Sequence, residues 1–409
     1  MKRTPSIAEA WPTNAPARGR IPVTGIGVIA PGAIGIDAFR ALLASGESAV
    51  GEIDRFDTAG LGAHKAALVR DFKAKDFIAP MKLRRMNTLS RYAVAAAKLA
   101  LDDAATPLPM ETGVALGTAF GPVQTSVDYM QEYVEKGAAL APPQLFAESV
   151  ANAPGSHIAI EHGFRGFNLT VTQRESSALA AAMYAASQLI KGSARAALIG
   201  GVEEVNEMIF SVLDRLGSLA HNGCGPRPFD RNRSGMLIGE GAAALILQPG
   251  EQAKYGYLSG FGIARDTTAS ISDWGSDPAA VVTAMRAAIQ DAELGVADID
   301  AIYASANATR KADALEARAI EQLFDQRPVV ATKGCFGEYA AGGALQLTAA
   351  LLAIADQTLH GSCGFEAADD GVRIDIVRAT RRAELRHILV NSISAGGGIV
   401  CAVISREAA

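Results

Sequence analysis

"NLTVTQRESSALAAAMYAASQLIKG", Asn168 to Gly192, reads as a strand, a tight corner and an alanine-rich helix. The corner holds Gln173, Arg174 and Glu175. A strand that runs straight into a helix is a device for presenting a nucleophile. Here the presented residue is a carboxylate. What surrounds the corner therefore decides both the fold and the use of Glu175.

Upstream, "TGVALGTAFG" (112–121) reads as a short buried strand and "VQTSVDYMQEYVEKG" (123–137) as a helix stopped by glycine. "IPVTGIGVIAPGAIG" (21–35) reads as a strand and then a glycine loop. Its GxG lacks the following acidic residue of a dinucleotide site. "MKLRRMNTLSRYAVAAAKLALDDA" (81–104) reads as one long helix with an apolar face. Downstream come two buried strands, "AALIGGVEEV" (196–205) and "GAAALILQPG" (241–250). The second half repeats the grammar, with helices at 281–294, 313–324 and 343–356 and a strand and loop at 299–309. "IGEGAAALILQ" (238–248) and "SAGGGIVCAVIS" (394–405) are both a glycine cluster followed by an apolar strand. They point to an internal duplication whose halves meet near residue 255. The expected organisation is an arm at 1–20 and two halves, 21–254 and 255–409. Alternating strands and helices with near-continuous apolar strands imply α/β layers with covered sheets.

Composition narrows the function. The chain has 409 residues, 49% hydrophobic, with a net charge of −5. That charge gives no footprint for nucleic acid. The four cysteines, Cys224, Cys335, Cys363 and Cys401, form no CxxC pair, so neither zinc nor a redox motif is indicated. Their scatter fits a reducing cytoplasm. No apolar run reaches membrane-spanning length. Basic residues at the N-terminus are not followed by an apolar stretch, so no secretory signal is read there.

The motifs carry a resemblance. "LGTAFGPVQT" (116–125), "RPFDRNRSGMLIGEGA" (Arg227–Ala242), "TKGCFGEYAAGGAL" (Thr332–Leu345) and "NSISAGGG" (Asn391–Gly398) resemble the signatures of β-ketoacyl carrier-protein synthases of the thiolase fold. The likeness runs from about Pro22 to about Ile404. It implies a five-layered αβαβα fold built from two duplicated halves. It also implies a cysteine on the elbow and two histidines from later loops. Here Glu175 matches the nucleophile, Ser305 the first histidine and Glu338 the second, while Lys333, Asp313 and Glu316 are kept. The glycines and "RPFD" survive around these changes, so the expectation is a folded protein that does not condense.

The chain resembles the chain-length factor, or β-subunit, of type II polyketide synthases. The resemblance implies a heterodimer with an active, cysteine-bearing synthase, served by an acyl carrier protein, with no cofactor and no metal. That subunit usually carries glutamine at the elbow. The glutamate here, with both histidines gone, argues against a self-sufficient priming decarboxylase.

Glu175 is expected to cap its helix and fill a closed pocket, where the helix N-terminus favours an anion by roughly 0.3–1 kcal/mol. The competing reading makes Glu175 and Glu338 an acid/base pair around Lys333, as in an autonomous hydrolase or decarboxylase of acyl thioesters. Acyl storage on Glu175 would give a water-labile anhydride. Cys335 is read as a small buried hydrophobe. The six histidines occupy no motif position, and "RRAELRH" (381–387) is read as a solvated face. The strand at 167–172 is expected to pair across a dimer axis. Phe120, Thr125, Tyr129, Met130 and Phe146 are expected at the interface and the far end of the partner's acyl tunnel. Tyr129 and Met130, being adjacent on a helix, face different ways. Aromatic polyketides and aryl polyenes would both suit such a tunnel.

Overall fold

The first strand, Ile21–Ala30, does not yield to a loop at its glycines but runs through them. The helix Thr88–Asp103 lies directly on it. A Cβ at Gly27 would stand 2.0 Å from the Ala96 carbonyl oxygen. Glycine is there for close packing, and the loop read after the strand begins only at Pro31. The computed structural model describes residues 20–221, 223–369 and 372–407. The expected arm, apart from Arg20, lies outside them.

The helix expected from residue 81 is also corrected. A single turn, Pro80–Leu83, ends before a second helix that starts at Thr88. Asn87 caps the second helix, its side chain accepting from Ser90 N at 2.7 Å. An N-cap asparagine needs extended backbone, which interrupts the run of helix formers (Asn87 ψ 174°).

Two sheets share one strand order. In the first, the spatial order is Ile21–Ala30, Gly241–Leu247, Ala197–Glu203, Gly113–Gly117 and Asn168–Val171. In the second it is Tyr257–Arg265, Gly398–Ser405, His387–Ile393, Ala301–Tyr303 and Pro328–Val330, with Asp375–Ile376 added at the edge. Numbered along the chain, both read 1-5-4-2-3, with two antiparallel pairings followed by two parallel ones. The sheets are joined where Ile21 and Pro22 pair with Leu258 and Tyr257.

Helices complete five layers, αβαβα. Thr88–Asp103 and Ala153–His162 cover the outer face of the first sheet, and Pro278–Asp291 and Arg310–Leu323 that of the second. Between the sheets lie Ser177–Ile190 and Ala344–Asp356. The latter is apolar on every side, as a helix between two sheets must be. Its one long polar side chain, Gln346, donates to the carbonyls of Tyr303, Ala304 and Asn391 at 2.8–3.0 Å. The thiolase-like fold is therefore the one implied by the motifs. The strand Asn168–Val171 ends the first sheet; among the described residues it pairs only with Gly113–Gly117, and it is half-buried apart from the exposed Asn168.

Candidate functional site

The corner before the central helix is a turn of 3-10 helix, Arg174–Ser176. Arg174 enters it with φ 47°, a left-handed conformation that a residue with a Cβ adopts only under constraint. The constraint is a row of serines. Ser392 Oγ donates to the Glu175 carbonyl at 2.9 Å, and Ser394 Oγ donates to the Gln173 carbonyl at 3.0 Å. Ser176 N donates to Ser394 Oγ at 3.0 Å. The elbow is thus stitched to the glycine-rich turn at 391–398.

Glu175 does not cap its helix. Its carboxylate turns toward that same turn, where Oε2 accepts from Ala395 N at 3.1 Å and Oε1 has no partner. The side chain is 1% exposed. Burial, then the nearby charge of Glu338, pushes its carboxyl up to about 7, against the opposing pull of a backbone N–H, Lys333 and Tyr339. The capping expectation fails because the 3-10 turn separates Glu175 from the first turn of Ser177–Ile190.

Lys333 opens the short turn Lys333–Phe336. Its Nζ donates to Glu338 Oε2 at 2.8 Å and to Ser305 Oγ at 3.4 Å. Glu338 Oε2 also accepts from Asn307 Nδ2 at 2.9 Å, and its Oε1 accepts from Tyr339 N at 2.8 Å. Glu338 is fixed from behind by the "LIGEGA" corner, with its N–H on the Leu237 carbonyl at 2.7 Å and its carbonyl on Gly239 N at 2.8 Å. Ser305 Oγ accepts from Ile393 N at 3.0 Å. Two carboxylates of Arg310–Leu323 shape the loop that carries Ser305. Glu316 Oε1 accepts from Ser305 N at 2.9 Å, and Asp313 accepts from Asn307 N, Ala308 N and Phe229 N at 2.7–3.2 Å. Burial raises Asp313 to about 6 and Glu316 to about 7.

All four positions singled out in the sequence therefore meet in one buried cluster. Lys333 is neutralised by Glu338, leaving Glu175 as a second carboxylate that holds a proton near neutral pH. The cluster contains neither a thiol nor an imidazole. The thiol of Cys335, on the same turn as Lys333, is buried and is pushed up first by the neighbouring Cys363 and then by burial. His360 bonds to the Tyr303 hydroxyl at 2.8 Å, and His157 bonds to Glu148 at 2.7 Å. Glu175, Ser305, Asn307, Lys333 and Glu338 are each at most 5% exposed, so the cluster is shut off from bulk solvent. Among the described residues no cluster of histidine, cysteine and carboxylate side chains could hold a metal, and no helix is long and apolar enough to cross a membrane.

Sequence reading missed Tyr339 and Asn307. Tyr339 stands beside Glu175 and Glu338, whose charges, after burial, push its hydroxyl well above its ordinary value. Its neighbourhood in the chain, "GEYAAGG", was the only signal. Phe120 packs edge-on against the Tyr339 ring at 4.9 Å, which links the cluster to the 120–146 segment. Along that segment Thr125 is buried, Tyr129 packs against Phe146 with ring centres 5.6 Å apart, and Met130 is 53% exposed. In 381–387 all residues but Leu385 are exposed or half-buried.

Residues 18–253 match the β-ketoacyl synthase N-terminal domain and residues 255–366 the β-ketoacyl synthase C-terminal domain. The chain is 26% identical to 3-oxoacyl-[acyl-carrier-protein] synthase 2 of Vibrio harveyi, covering 93% of this chain and 97% of that one. It is 29% identical to the tetracenomycin polyketide synthase ketoacyl synthase beta subunit of Streptomyces glaucescens, covering 94% and 98%. The ishigamide ketosynthase/chain length factor structure superposes with a TM-score of 0.87 at 26% identity, covering 96% and 100%.

Proposed function

The chain belongs to the β-ketoacyl synthase family, and on that premise we propose that it is a non-condensing subunit of the chain-length-factor kind. It would pair with a cysteine-bearing ketosynthase, in a cytoplasmic type II polyketide, aryl polyene or fatty-acyl system fed by an acyl carrier protein. One observation carries the reading. The place of the family's nucleophile and bases is filled by a buried Glu175–Lys333–Glu338–Ser305 cluster that has no thiol to take an acyl chain from a thioester and no imidazole beside it. The printed names of a β-subunit relative and of a ketosynthase/chain length factor structure agree with it.

Two surface features support a partner. The edge strand Asn168–Val171 has an unpaired side among the described residues, an arrangement that proteins cover. The 123–146 segment exposes Met130, Val134, Leu140 and Phe146, with Val134 at 76%; such apolar patches mark interaction sites. Phe120, Thr125, Tyr129, Met130 and Phe146 are the residues we assign to the shared interface and tunnel end.

The test is product length. The pair of this chain and its cysteine-bearing synthase should give a longer mean product when Tyr129 is replaced by alanine, because bulk at the tunnel end stops growth by steric exclusion. An unchanged product distribution from Tyr129→Ala counts against the tunnel assignment.

A further inference from the structure

Two buried thiols lie behind the acidic cluster, on chain segments that run side by side. Ala331 N donates to Ser362 Oγ at 3.0 Å. A Cβ built on Gly334 would meet the Cys363 Cβ at 3.0 Å and its carbonyl oxygen at 2.2 Å. Cys335 and Cys363 belong to one hydrophobic cluster, and each thiol shifts the titration of the other. Cys335 is wholly buried. Cys363 is 5% exposed and sits under a surface loop with exposed Glu47 and Ser48. The Ser48 hydroxyl donates to the Gly334 carbonyl at 2.8 Å, which ties that loop to the turn carrying Cys335. The other cysteines lack this setting. Cys401 Sγ donates to Asn391 Oδ1 at 3.3 Å inside the second sheet, and Cys224 lies half-buried on a turn.

We propose that Cys335 and Cys363 form a modification site, a dithiol that a low-molecular-weight disulfide such as oxidised glutathione converts to an intramolecular disulfide. The Cys363 thiolate attacks one sulfur of glutathione disulfide. The S–S bond breaks, one glutathione thiolate leaves, and Cys363 carries a mixed disulfide. Cys335 then gives up its proton and its sulfur attacks the Cys363 sulfur, expelling the second glutathione thiolate. Two protein thiols are oxidised by two electrons, one glutathione disulfide is reduced to two thiols, and the two protons end on glutathione. The order follows from the surroundings. Cys363 is nearer the surface, and the neighbouring Cys335 thiol holds it below the ordinary value. Cys335 is pushed up, first by the neighbouring Cys363 and then by burial.

The bond would act on the cluster through one helical turn. Cys335 N donates to the Thr332 carbonyl at 2.9 Å and Gly337 N to the Lys333 carbonyl at 2.8 Å. The same turn holds Lys333 against Glu338. Thiol pairs of this kind in a reducing compartment are transient and responsive rather than structural.

The test uses the folded full chain. It is treated with oxidised glutathione, its remaining thiols are alkylated in denaturant, and its peptides are mapped by mass spectrometry. The expected result is a loss of two of the four titratable thiols, a Cys335–Cys363 linked peptide, and full recovery with dithiothreitol. Cys335→Ser should trap Cys363 as the glutathione mixed disulfide, and Cys363→Ser should leave Cys335 unmodified. Glutathione found only on Cys224, or a folded wild-type chain that keeps four free thiols, would overturn the proposal. The wild-type map decides the question even where a serine variant fails to fold.

Discussion

At the residue scale the cluster is held by one buried ion pair with its spare atoms satisfied. Lys333 and Glu338 are both almost wholly buried, and Asn307 and Tyr339 N complete Glu338. Breaking such a pair from one side leaves a buried charge and costs about 3–5 kcal/mol. Lys333→Met should therefore lower the unfolding free energy by about that amount in urea titration. Adding Glu338→Gln to it should restore part, because the orphaned charge is gone and the amide oxygen still accepts from one of the two donors, Asn307 Nδ2 or Tyr339 N. Equal instability of the single and double variants would mean that packing, not charge, holds the cluster. A second carboxylate works in the same way nearby. Glu203 Oε2 accepts from Thr118 Oγ1 at 3.1 Å, Phe120 N at 3.2 Å and Ala119 N. It fixes the turn that sets Phe120 on Tyr339. Glu203→Leu should cost about 2–4 kcal/mol and abolish amide-exchange protection at Ala119 and Phe120. Retained protection would show that the turn holds without the carboxylate.

At the element scale, close approach explains which features could be read in advance. Gly27→Val should destabilise the fold by about 3 kcal/mol or more, since its Cβ would strike the Ala96 carbonyl oxygen, which is backbone and cannot yield. Soluble, cooperatively melting protein of unchanged stability would contradict that packing. The strand itself was legible from its β-branched start, but where it gives way to loop was not, because only the helix lying on Gly27 shows why the strand continues through it. The repeated glycine-then-strand endings were legible because the duplicated halves keep one strand order. The elbow was legible because a β-branched strand meets an alanine helix at Glu175. The direction of the Glu175 side chain was not, for its partner Ala395 is 220 residues away and donates from the backbone, which no side-chain pattern announces. Tyr339 and Asn307 were hidden for a related reason. Their roles come from the fold bringing the 305–309 loop against the 338–339 corner, and neither residue type signals that by itself.

At the scale of the whole molecule, the buried carboxyls make stability depend on pH. Glu175, Glu204 and Glu316 are raised to about 7, Glu203 to about 8 and Asp313 to about 6, burial being the first cause in each. Each folded value lies above its unfolded one, so between the two the folded chain binds more protons. The stability these groups contribute is full below about pH 4 and is lost as pH climbs to about 8. Thermal melts should show a midpoint higher by about 4 °C or more at pH 5.5 than at pH 8.5, with a shallower slope in Glu175→Gln, whose amide keeps the Ala395 bond without titrating. A midpoint that rises with pH would reverse the sign argued here. The buried cluster, the edge strand with a side unpaired among the described residues and the exposed apolar helix segment are the features on which the proposed partner-subunit role rests. The most direct test is to co-express the chain with a cysteine-bearing ketosynthase, purify both proteins alone and together, and follow consumption of malonyl-carrier protein. The account predicts a stable complex, no turnover by this chain alone, and turnover by the pair that survives Glu175→Ala. Turnover by this chain alone, abolished in Glu175→Ala, would contradict it and make Glu175 a catalytic group.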